Sequence, residues 1–210
     1  MTRRSFHRAP EAERRHELIA ATLDCISELG LKGATVREIA ARAGVTGGLV
    51  RHYFETKDQL VAAAYRSLIA SLTEKAENLT GDPESRLRDF IVINLTEPVA
   101  NSRSLSLWAA FISQVRSDPV LGAVHREGYL AFRDSLQGLI ADFRAIRGLP
   151  ADSAICRQQA IAINALMDGL WLEGCLAGDL FADGELIEIA TQSIEALLGL
   201  SLTARAGVAG

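Results

Sequence analysis

The stretch Thr35 to Lys57 reads T-V-R-E-I-A-A-R-A-G-V-T-G-G-L-V-R-H-Y-F-E-T-K, and its cationic and hydroxyl groups are spaced to grip a phosphate backbone. Arg51, His52 and Tyr53 follow closely on Thr46, Gly47 and Gly48. Two glycines in a helix cost about 1 kcal/mol each relative to alanine. Without Cβ atoms, however, that turn can lie close against a groove wall. DNA binding is therefore the first expectation, with contact to the sugar-phosphate chain for position and to base edges for sequence.

Two short helices must hold these groups. Thr35 can accept from the backbone N–H of Glu38, whose carboxylate can reach back to the Thr35 N–H in a capping box. Val36, Ile39, Ala40 and Ala43 then form one narrow apolar stripe. Gly44 is placed to end the helix, Val45 to return to the core, and Thr46 to cap a second helix. Helix, short turn containing glycine, helix is the plan of a DNA-binding helix-turn-helix. Thr56 with Gln59 predicts a further capping box and a third start.

From Gly30 to Leu60 the chain resembles the DNA-binding domain of the tetracycline-repressor (TetR) family of transcriptional regulators. The resemblance is carried by Gly30, Thr35, Ile39-Ala40, Ala43-Gly44-Val45, Gly48, Val50, Tyr53-Phe54, Lys57 and Leu60. It implies that Thr35, Tyr53 and Lys57 hold phosphates, and that Arg37 and the face from Thr46 through Gly47 and Gly48 to Arg51 meet base edges. Arg51 stands where many members carry an aromatic residue. It could take guanine O6 and N7 bidentately or hold a phosphate, so the operator sequence is not inherited from relatives.

The 210 residues are 49% hydrophobic and 23% charged, as in an ordinary globule. Lys and Arg number 22 against 26 Asp and Glu, a formal charge of −4. The imbalance is uneven. Through Leu60 there are 10 basic and 8 acidic residues, leaving 12 and 18 for the remainder. The basic excess gathers at Arg3, Arg4, Arg8, Arg14 and Arg15. Phosphate attraction acts over a Debye length of about 8 Å at physiological salt, so an acidic body can carry a basic foot. Cys25, Cys156 and Cys175 form no C-x-x-C pair, which argues against a disulfide framework or zinc site and suits a reducing cytoplasm. No signal peptide is recognisable, and no apolar run is expected to span a bilayer. No cofactor or metal is expected.

Helical periodicity dominates the rest, and the expected fold is all-α with nine helices in a TetR-like architecture. The predicted layout is a disordered basic arm at 1–10, a helix-turn-helix domain at 11–60, a ligand-binding and dimerisation domain at 61–200, and a flexible tail at 201–210. Expected apolar faces include Leu18, Thr22, Ile26 and Leu29 in the first helix; Leu105, Trp108, Ala109 and Ile112 in the sixth; and Leu186, Ile189, Ala190, Ser193, Ile194 and Leu197 in the last, with Asp183 as its cap. Ala162, Ala165, Gly169, Gly174 and Ala177 suit either ordinary packing or a two-fold four-helix seam. The family resemblance implies the seam, and with it a homodimer on a palindromic operator.

The middle helices offer a sensor. Asn94, Trp108, Phe111, Tyr129, Asp168 and Trp171 are the candidate ligand residues. Aromatic faces with one carboxylate suit a quaternary ammonium, although aromatic pairs at helical spacing more often form core. The strings Ala165 to Leu172 and Trp108-Ala109-Ala110-Phe111 resemble the C-terminal domain of choline-responsive regulators of BetI type, with Ile112 where that pattern carries a further aromatic. A small organic ligand is implied, a cation being one candidate, and Asp168 is open to ligand contact or to a hydrogen bond across the seam. A ligand-released repressor is the expected function. A ligand-independent regulator or an activator is the alternative. His7, His16, His52 and His125 are scattered and fit no hydrolase or phosphate-loop motif, which argues against an enzyme.

Overall fold

The computed structural model describes residues 11–202. The arm assigned to 1–10, with Arg3, Arg4 and Arg8, lies outside them, as does all but the start of the tail assigned to 201–210. Among the described residues there are nine α-helices, one short 3-10 turn and no strand. They are α1 (Glu11–Gly33), α2 (Val36–Arg42), α3 (Gly47–Tyr53), α4 (Lys57–Glu77), α5 (Pro83–Leu95), α6 (Ser102–Ile112), α7 (Pro119–Ile146), α8 (Ser153–Ala177) and α9 (Glu185–Leu198).

Local chemistry sets many of these limits. The Thr35 hydroxyl accepts from the Glu38 N–H at 3.2 Å and opens α2; the Thr46 hydroxyl accepts from the Leu49 N–H at 3.3 Å and opens α3. The reciprocal half of the Thr35 box is replaced, because the Thr35 N–H donates to the Gly33 carbonyl at 2.7 Å. Gly44, with φ of +65°, takes the left-handed conformation that a side chain would strain, and the chain turns there from α2 toward α3. Asp82 and Asp152 cap α5 and α8 through their carboxylates. Asp183 does not cap α9. Gly184 occupies that position without a side-chain bond, and the Glu185 carboxylate accepts from the Ala182 N–H instead.

The chain forms two compact units, one of residues 11–68 with 106–125 and the other of 69–105 with 126–202. In the first, Leu18, Ile26, Ile39, Val50, Phe54, Leu60, Tyr65, Leu107 and Phe111 are buried. Leu29 is not; Cys25 takes the core position one turn earlier, and a Cβ at Gly33 would come within 2.7 Å of the Leu29 Cβ. In the second unit α5, α8 and α9 pack together, and with α7 they enclose Leu87, Phe90, Ile91, Leu136, Phe143, Ile163, Met167 and Ile194.

Two expected faces have the right period; that of α6 has the wrong phase, while that of α9 is right at Ala190 and Ile194 and wrong at Ile189 and Leu197. Helix α6 buries Leu107 and Phe111, leaving Ile112 and Ala109 exposed and Leu105 and Trp108 half-buried. Helix α9 buries Ala190, Ile194 and Leu198, while Ile189 and Leu197 face outward. Helix α8 and the turn after it (Ser153–Leu180) are long and apolar enough to cross a membrane by length and composition, contrary to the expectation that no segment is.

Candidate DNA-binding and ligand sites

Helix α3 has seven residues, too few to persist alone in water. It is held from one side by Val50 and, just beyond its end, by Phe54, both buried. That leaves Thr46, Gly48, Arg51 and His52 exposed on the other side, with Thr35 and Arg37 exposed at the start of α2. Tyr53 is half-buried, its ring edge-on to His52 at 5.1 Å. Packing demands neither glycine of the pair: a Cβ at Gly47 would lie 3.9 Å from Val36, one at Gly48 3.8 Å from the Thr46 hydroxyl, and neither has positive φ. Lys57 is half-buried, and its ammonium donates to the Leu31 carbonyl at 2.8 Å, tying the start of α4 to the end of α1.

The candidate ligand residues divide between the units. Trp108 and Phe111 lie in the first unit with two residues the sequence did not single out. Phe111 stacks on Tyr65 at 4.2 Å and 5° between ring planes; the Tyr65 hydroxyl meets His125 Nδ1 at 2.7 Å; Trp108 stands edge-on to His125 at 6.0 Å. Burial pushes Tyr65 up to about 12 and His125 below the usual imidazole value, so both are neutral at physiological pH. The cluster is an uncharged aromatic core in which Tyr65 and Phe111 are wholly buried and Trp108 and His125 half-buried.

Asn94, Tyr129, Asp168 and Trp171 lie in the second unit. Asn164, which the sequence did not single out, joins two of them. It is almost wholly buried, and its amide nitrogen donates to the Tyr129 hydroxyl at 2.8 Å and to the Asp168 carboxylate at 3.0 Å. Partial loss of water around it raises the Asp168 pKa above the ordinary carboxylate value, and the Asn164 bond opposes that rise. Asp168 is nonetheless exposed in the isolated chain, so the shift adds little to stability. It is not the buried carboxylate the sequence suggested. Its neighbours along the outward face of α8 are Ala165, Gly169 and Leu172, all exposed. The Trp171 indole donates to the Val99 carbonyl at 3.0 Å, and the Asn94 amide turns back to the Phe90 carbonyl of its own helix. Of the small residues offered for a seam, Gly174 faces α9 within the subunit, where a Cβ would lie 2.9 Å from Leu186. Among the described residues no cluster of metal-ligating side chains occurs.

Comparison with known proteins agrees with this architecture. Residues 18–64 match the family described as bacterial regulatory proteins, tetR family, and residues 83–199 match the BetI-type transcriptional repressor C-terminal family. The chain is 36% identical over 189 residues to the HTH-type transcriptional regulator BetI of Burkholderia lata, covering 88% of this chain and 94% of that one. A solved regulator from Pseudomonas aeruginosa PAO1 superposes with a TM-score of 0.80 at 31% identity, over 93% and 95% of the two chains. A regulator from Saccharomonospora viridis, solved in complex with choline, shares the fold with a TM-score of 0.68 at 15% identity, over 90% and 96%. An all-helical chain with a capped helix-turn-helix at one end, matched in sequence at both ends, belongs to the TetR family of transcriptional regulators, with a C-terminal domain of the BetI type rather than an enzyme's.

Proposed function

We propose that the protein is a cytoplasmic repressor that grips a palindromic operator as a homodimer and leaves it when a small organic ligand, a quaternary ammonium first among candidates, occupies the body. The observation that carries the DNA half is the presentation of α3: Val50 is anchored inside while Thr46, Gly48, Arg51 and His52 stand open. The absence of any packing need for Gly47 and Gly48 supports a role outside the chain, as the place where backbone nears the groove wall. In this assignment Thr35, Tyr53 and Lys57 hold phosphates, while Arg37 and the Thr46–Arg51 face meet base edges.

Arg51→Ala is expected to weaken binding by about 1–3 kcal/mol and to relax preference at one base pair. Lys57→Ala is expected to weaken all duplexes alike and to flatten the dependence of log K on log salt by about one unit. Selection from random DNA followed by titration at several salt concentrations reads both, and identical behaviour of the two variants would refute this division of labour.

The ligand half is supported by the half-buried Trp108 in the first unit, by the Tyr129–Asn164–Asp168 chain of hydrogen bonds in the second, and by the choline complex of a protein with this fold. Aromatic faces attract quaternary ammonium ions. Release follows from linkage: a ligand that prefers the conformer with mismatched heads lowers operator affinity by its preference between the two states. Choline at 100 times its Kd should raise the unfolding free energy by about 2.7 kcal/mol. A thermal scan across choline, betaine and hydrophobic amines checks this, and an unmoved midpoint throughout would favour a ligand-independent regulator.

A further inference from the structure

We propose that Arg15 is a positioning residue for the recognition helix, a clamp that sets how α3 is presented, and not one of the phosphate-binding cations of the basic run. In sequence Arg15 is indistinguishable from Arg14, Arg8 or Arg4. In the fold it turns inward. Its Nη1 donates to the Tyr53 carbonyl, 38 residues away, at 2.8 Å, and its guanidinium lies 4.4 Å from the centroid of the Phe54 ring. Arg14 pairs with Glu17 on the same helix instead.

Tyr53 is the last residue of α3, so its carbonyl is one of those a helix leaves unsatisfied at its C-terminal end. A glycine in left-handed conformation commonly serves that end. Here Phe54 is extended, with φ of −138° and ψ of 111°, and its N–H returns to Val50. The Tyr53 carbonyl is met by a cation from α1, at the pole where the helix dipole favours positive charge. Phe54 is buried, so the ring beneath the guanidinium is itself fixed. A planar group held over a fixed ring while it donates to a carbonyl has little freedom left, which suits Arg and not Lys. Arg15 thus ties the C-terminal end of α3 to α1, leaving the opposite end to Thr46.

Loss of the clamp should not unfold the unit. A cleft of about 670 Å³ opens beside Arg15, Tyr53 and Phe54, so water can reach the Tyr53 carbonyl once the guanidinium is gone. The helix would stay formed but lose its fixed angle, and discrimination between operator and other DNA would fall.

The inference rests on α3 as the element that reads the operator, so Arg51→Ala is measured alongside. The probes are a duplex selected from random DNA and a scrambled duplex of equal length, each titrated at several salt concentrations with the full chain. For Arg15→Ala we expect about a tenfold loss on the selected duplex, little loss on the scrambled one, and an unchanged salt slope. Arg15→Lys, which keeps the charge but not the fork, should behave like Arg15→Ala. Hydrogen exchange on the free protein should quicken for the amides of 50–54 while those around Leu18 and Ile26 stay protected. Rescue by lysine, or a salt slope flatter by about one unit in Arg15→Ala with equal loss on both duplexes, would make Arg15 a phosphate contact and overturn the clamp. Unchanged discrimination in Arg15→Ala with reduced discrimination in Arg51→Ala would also overturn it. Unchanged discrimination in both would instead remove α3 as the reader. Should Arg15→Ala fail to fold, Arg15→Lys decides by the same readings.

Discussion

Purified protein carrying Leu172→Glu and Leu176→Glu is expected to run as a monomer and to lose about 10²–10⁴-fold in affinity for a palindromic duplex, because the second half-site would no longer be bound at high effective concentration. The reason lies in α8. Its inward face, Cys156, Ala160, Ile163, Asn164 and Met167, is consumed by the subunit's own core. Its outward residues Ile161, Leu172 and Leu176 recur on the opposite side, with Leu180 just beyond; Leu176 is 67% and Leu180 77% exposed. Helix α9 likewise leaves Ile189 and Leu197 uncovered. Soluble chains seldom leave so much leucine and isoleucine to water unless another surface covers it.

In the proposed two-fold dimer every substitution at the seam occurs twice. A glutamate buried there without a partner costs about 3–5 kcal/mol, more than a standard-sized contact can spare. Sedimentation gives the oligomeric state, circular dichroism shows whether the subunit fold survives, and a duplex with a single half-site separates lost pairing from a damaged head. A double variant that remains dimeric would move the seam away from α8. One that is monomeric yet binds the palindrome unchanged would remove the need for pairing. Helix α8 has apolar residues on opposite sides, as suits a helix that fills a core on one side and, in the proposed dimer, meets its twin on the other.

What could be seen in advance was local. Thr35, Thr46 and Asp82 each announce a helix that starts at the next residue, and Gly44 marks the turn, so the helix-turn-helix was legible down to individual caps. The phase of α6 was not. Leu105, Leu107, Trp108, Ala109, Ala110, Phe111 and Ile112 are almost continuously apolar, so a period of 3.6 fits several stripes equally and only tertiary packing picks Leu107 and Phe111. The polar links were equally hidden. Tyr65 with His125, Asn164 with Tyr129 and Arg15 with Tyr53 are 60, 35 and 38 residues apart, and nothing near any partner in sequence marks it. Asp168 drew notice for sitting in an apolar run, yet on a helix with apolar residues on opposite sides that placement does not say whether a residue points inward. It points out.

Phe111 is where local and tertiary signals part most sharply. The sequence offers it as a ligand wall beside Trp108, whereas the fold buries it completely, its ring stacked on a Tyr65 that is also fully buried. Phe111→Ala is therefore expected to destabilise the chain by about 3–5 kcal/mol, combining lost transfer energy with the cavity left behind. It also frees Tyr65, whose stacking with Phe111 contributes about 0.5–1.5 kcal/mol beyond area burial. Against a typical stability of about 5–15 kcal/mol, such a loss should bring the urea midpoint down sharply. Trp108→Ala should cost less, because Trp108 is half-buried and meets His125 edge-on. If Trp108 lines the ligand site, that variant should instead lose most of the ligand-induced rise in melting temperature. Urea titrations with and without choline separate the two roles. A Phe111→Ala protein with unaltered stability and an abolished choline response would make the ring a ligand wall after all.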